Sequence, residues 1–91
     1  MNVMFYIELN KTFNDDGELQ TELCYGITEM WTQVKAAAEE LAHGHVEVEQ
    51  ADSLPWQPRV ITAVENEGEA SQVIGKVCMV PVWQAYAKTF G

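Results

Sequence analysis

The stretch VMFYIELNKTFNDDGELQTELCY, Val3 to Tyr25, decides the class of fold. Val3, Phe5, Ile7 and Leu9 alternate with Glu8, Asn10 and Thr12, the period of a strand with one buried face. Met4 and Tyr6 interrupt the polar set, so part of the second face is expected to be covered as well. NDDGE, Asn14 to Glu18, is a turn signal, because Asn, Asp and Gly tolerate the backbone angles that tight turns require. Leu19 to Tyr25 then returns, with Leu19, Leu23 and Tyr25 expected on one side, and the two strands read as a hairpin.

A helix follows. Thr28 is read as its N-cap, and Glu29 suits the positive end of its dipole. Met30, Val34, Ala37 and Leu41 recur at helical spacing, and Trp31 and Ala38 widen the stripe. Lys35 and Glu39 stand at i,i+4, and Gly44 is placed just past the helix end. In HVEVE, Val46 and Val48 alternate with His45, Glu47 and Glu49, a further half-buried strand. Arg59 to Val64 is β-branched and reads as a strand. Ser71 to Val80 fits either a helix or a strand, and its valines favour the strand. Pro81 permits a fresh start, and Trp83, Tyr86 and Phe90 suit a short C-terminal helix. The order ββαβββα over residues 1–91 predicts a single α+β domain: a small antiparallel sheet with one main helix packed on one face.

Charge narrows the function. Fourteen acids against five bases give a net charge of −9, with Arg59 the one arginine. Phosphate backbones are held by lysine and arginine, so direct nucleic-acid binding is disfavoured, and anionic membranes are disfavoured for the same reason. A protein partner with a basic surface is favoured. Cys24 and Cys78 form no CxxC motif, and MNVMFYIELN lacks the basic start of a signal peptide. The expectation is a reduced, cytoplasmic protein.

Several sites are weighed and set aside. His43 and His45 lie in adjacent elements and lack the third and fourth ligands of a closed zinc site, so no metal is expected. NDDG lacks the acid pattern of a calcium loop, and IGK lacks the glycine spacing of a phosphate loop. Neither a nucleophile–base pair nor a cofactor motif is present, so neither an enzyme nor a cofactor is expected. Cys24 and Cys78 read as small buried hydrophobes, and Trp31 and Trp83 as core. Trp56, framed by prolines in SLPWQPR, reads equally as a binding anchor and as a core cap. Glu47 and Glu49, about 6.6 Å apart on one strand face, form one acidic candidate surface, which Glu8 and Glu22 extend if their strands are neighbours. Glu65, Glu67 and Glu69 form another.

In size, in the acidic segments HVEVEQAD and ENEGEAS, and in lacking catalytic motifs, the chain resembles the small acidic proteins, anti-CRISPR proteins among them, with which phages and mobile elements block host enzymes. That resemblance implies a non-enzymatic inhibitor of a host defence or nucleic-acid-binding protein. The alternative expectation is a structural or assembly protein that forms a homo-oligomer through a sheet edge or its C-terminal segment.

Overall fold

The computed structural model describes residues 2–50, 57–64 and 72–90. Five strands form one antiparallel sheet: β1 (Val3–Phe13), β2 (Leu19–Thr28), β3 (Val46–Val48), β4 (Arg59–Ala63) and β5 (Gln72–Pro81). Their spatial order is β2-β1-β5-β4-β3. A 3₁₀ turn (Trp31–Gln33) leads into α1 (Val34–Ala42), and α2 (Val82–Phe90) closes the described chain. The fold is α+β, and the elements follow the order read from the sequence, with the 3₁₀ turn added.

The hairpin forms because Asn14 organises its turn. Its Oδ1 accepts the backbone N–H of Asp16 and of Glu18, each at 2.9 Å. The return strand is longer than expected and runs through Thr28. Thr28 is therefore a buried strand residue and caps no helix; α1 starts at Val34 with no side-chain cap. A bulge also splits the set Leu19, Leu23 and Tyr25. Cys24 pairs with Leu9 but Thr21 pairs with Lys11, so β2 carries one extra residue. Leu19 and Cys24 consequently pack on the main core, while Leu23 stays exposed.

The main core lies between the sheet and α1. Ile7, Leu9, Val46, Val48, Ile61, Ile74 and Val77 meet Val34, Ala38 and Ala42. Small alanines bring the helix close to the sheet, and each methyl or larger group there adds roughly 25 cal/mol per Å² of apolar area removed from water. Met30 precedes the helix and is exposed, and Leu41 is half-buried rather than central. At the helix end His43, not Gly44, adopts the left-handed conformation (φ 60°). Gly44 is required for a different reason: a Cβ there would collide with the ring of Phe13.

The segment read as ambiguous is a strand. β5 pairs with both β1 and β4, and it bulges at Ile74, since Ile61 stands opposite Gly75 and Thr62 opposite Val73. Gly75 sits where a Cβ would strike the carbonyl of Glu8 and Leu9 Cδ2. The bulge lets Ile74 reach the main core beside its neighbours.

The short C-terminal helix expected from Trp83, Tyr86 and Phe90 forms as well. α2 packs on the opposite face and forms a second core in which Ala85 meets Met4, Tyr6 and Val80. This is the cover that Met4 and Tyr6 anticipated. Among the described residues no helix is long and apolar enough to cross a membrane.

Candidate interaction surfaces

α2 has two unlike sides. Its sequence, VWQAYAKTF, supplies Val82 and Ala85 to the second core, because small side chains let the helix sit low on the sheet. The large side chains therefore point away. Trp83 is 72% exposed, Tyr86 48% and Phe90 71%, and the rings of Tyr86 and Phe90 lie 5.5 Å apart. The expectation that Trp83 is core is thus overturned. Spacing alone could not separate the two outcomes, since positions i, i+3 and i+7 mark one face of a helix without saying which side is buried. The signal that could have done so is the small pair Ala85 and Val82, which fits a close helix-to-sheet approach better than a tryptophan does.

Trp31 behaves as expected and packs edge-on against Phe5, with ring centroids 5.4 Å apart. Arg59 lies over the same indole, its guanidinium carbon 4.8 Å from the ring centroid.

α2 covers only part of its face. Along β1 it lies over Met4 and Tyr6, and Lys88 Nζ sits 5.2 Å from the Tyr6 ring centroid. Tyr25 stacks on the same ring at 6.1 Å. Burial, followed by the nearby Glu8 carboxylate, Tyr25 and Cys78, pushes the Tyr6 hydroxyl up to about 12. Farther along the strands the face is open. Glu8, Asn10, Leu23, Val60, Val73, Gly75 and Lys76 line a shallow groove of about 420 Å³. Glu8 faces Lys76 across it at 3.9 Å.

The acidic candidates divide. Glu47 and Glu49 are exposed at the outer edge strand β3, while Val46 and Val48 are buried, as the alternation predicts. Glu8 and Glu22 do not extend this surface. β4 and β5 separate β1 from β3, Glu8 pairs with Lys76, and Glu22 accepts the Thr12 hydroxyl at 3.2 Å and the Cys24 thiol at 3.3 Å. That last contact comes second to burial in pushing the Cys24 thiol up. Trp56, Glu65, Glu67 and Glu69 lie outside the described residues.

Lys35 does not pair with Glu39; it lies 3.7 Å from Glu47. Glu39 instead connects the helix to the strand that follows it. Its Oε2 meets His45 Nδ1 at 3.1 Å and accepts the Val46 N–H at 3.3 Å. Burial alone would raise its carboxyl, but these two contacts and the nearby Lys35 outweigh it and hold the group below the usual carboxylate value. His45 is thus engaged with the helix and His43 caps it. Among the described residues no three His, Cys, Asp or Glu side chains converge as metal ligands.

Comparison of the chain with protein-family models, with curated proteins and with solved structures gives no match.

Proposed function

We propose that the chain is a non-enzymatic protein-binding module that acts through its surfaces. The observation that carries this reading is α2, which anchors itself by its small residues and presents Trp83, Tyr86 and Phe90 outward. Large aromatic side chains bury much area at small entropic cost, and they are enriched among the anchors of protein interfaces. A helix already packed on a sheet holds such anchors in place before the partner arrives, which lowers the cost of binding.

Charge supports a finer reading. With a net charge of −9, the chain suits a partner with a basic surface, such as a nucleic-acid-binding or defence protein that an inhibitor of phage type would cover. Glu47 and Glu49, exposed on an edge strand, are the described acids best placed to meet it. The test is surface plasmon resonance of the immobilised chain against proteins it retains from its source cell, at two salt concentrations. Glu47→Lys with Glu49→Lys should slow association, and the slowing should fade as salt screens the charges. Trp83→Ala should hasten dissociation. Binding that ignores salt and all three substitutions contradicts the reading.

A further inference from the structure

We infer that two copies of this chain pair face to face, the outer side of each α2 lying in the open half of the other's sheet. This rests on the reading of α2 as a contact surface and names the occupant of that surface. Two exposed apolar features share one side of the molecule. The first is the ridge Trp83, Tyr86 and Phe90. The second is the groove in which Leu23 is 66% and Val73 56% exposed, beside half-buried Val60. They adjoin along the strand direction. On β1 the face passes from Met4 and Tyr6, beneath α2, to Glu8 and Asn10, in the groove. On β5 it passes from Val80 and Cys78 to Lys76 and Val73.

A ridge beside a groove on one face is self-complementary. A two-fold axis parallel to the sheets sets each ridge into the partner's groove and leaves the two helices side by side between two sheets. Such a closed, isologous contact uses the same patch twice and ends the assembly at two. Each large ring buries about 150–250 Å², so six rings with the groove residues approach the ~1,200–2,000 Å² that stable interfaces bury.

Charge selects a second copy over a basic partner at this face. Among the described residues, α2, the groove and the hollow beside Val82 and Tyr86 carry two acids, Glu8 and Glu29, balanced by two bases, Lys76 and Lys88. The other described acids lie elsewhere: Asp15, Asp16 and Glu18 in the hairpin turn, Glu22 on β2 beside Thr12, Glu39 and Glu40 on α1, and Glu47 and Glu49 at the β3 edge. Two copies therefore meet on a surface that escapes the acidity of the chain as a whole. A basic partner finds little to attract it there.

The experiment is sedimentation equilibrium of the full chain between about 1 and 100 µM, with cross-linking of mixed light- and heavy-isotope chains by a lysine reagent. The expected result is a dimer, with mixed-isotope links joining Lys88 of one copy to Lys76 of the other. Trp83→Ser with Phe90→Ser on the ridge, and Val73→Lys in the groove, should each raise the dissociation constant at least tenfold. A monomer at every concentration overturns the inference, as does a dimer that survives both sets of substitutions or whose mixed links avoid Lys76 and Lys88. The cross-link needs no variant, so a variant that misfolds leaves the test intact. If the chain is monomeric yet Trp83→Ala still hastens dissociation from another protein, this inference fails and the protein-binding reading stands.

Discussion

Trp83 and Ala85 are two residues apart on α2 and face opposite ways: Ala85 is fully buried against Met4, Tyr6 and Val80, while Trp83 stands in the open. The smaller side chain holds the helix in place. At a concentration low enough to keep the chain monomeric, Trp83→Ala should change unfolding free energy by no more than about 0.5 kcal/mol. Ala85→Leu should cost about 1–3 kcal/mol through overpacking. Urea denaturation of the two variants checks the contrast, and the reverse order of costs would place the wrong side of α2 in the core.

The Glu39 carboxylate ties the end of α1 to the start of β3 through His45 and the Val46 N–H. Its folded value is depressed, so the unfolded chain takes up the proton first as pH falls, and protonation favours unfolding. The contribution is present above the ordinary glutamate value, about 4.3, and is lost as pH falls through the lower folded value. Glu39→Gln should therefore reduce stability at pH 7 and flatten its acid dependence. Urea midpoints at pH 7, 5 and 3 read this out; parallel curves for the two proteins would refute it.

Tyr6 makes the corresponding prediction at alkaline pH. An unfolded tyrosine gives up its proton near pH 10, whereas the folded one holds it to about 12. Stability is unaffected by this group below pH 10 and falls between 10 and 12, by on the order of 2–3 kcal/mol. Tyr6→Phe should lack that part of the decline. Ultraviolet titration of the native protein should likewise lose its highest tyrosinate step in the variant.

Gly75 is a matter of space. Its missing Cβ leaves room for the Glu8 carbonyl and for Leu9 beside the bulge in β5. Gly75→Ala must displace backbone, and a loss of about 1–3 kcal/mol is expected from overpacking. A thermal midpoint equal to that of the parent chain would show that the strand gives way easily.

Much of the fold was legible because its signals are local. The alternation of Val3 to Leu9, the Asn14 turn and the valines of Val46 and Val48 each depend on near neighbours. What escaped depends on contacts distant in sequence. The bulge that turns Leu23 outward is set by pairing between β1 and β2, and the departure of Thr28 from its expected cap reflects continued pairing with Phe5. The i,i+4 spacing of Lys35 and Glu39 gave way to contacts that form only when α1 and β3 come together, Lys35 with Glu47 and Glu39 with Val46. The site suffered most, because the exposed side of α2 is decided by which of its side chains fits low on a sheet. The exposure of Glu47 and Glu49 follows from the alternation with Val46 and Val48, which near neighbours alone decide.

The central claim is that the aromatic side of α2 is a protein-contact surface. Hydroxyl-radical footprinting, read by mass spectrometry, tests it most directly, applied to the chain at rising concentration and with any protein it retains. Trp83, Tyr86 and Phe90 should become protected in at least one of these conditions. His43, exposed at the end of α1, should react equally throughout. Oxidation of Trp83 at one undiminished rate in every condition would contradict the claim.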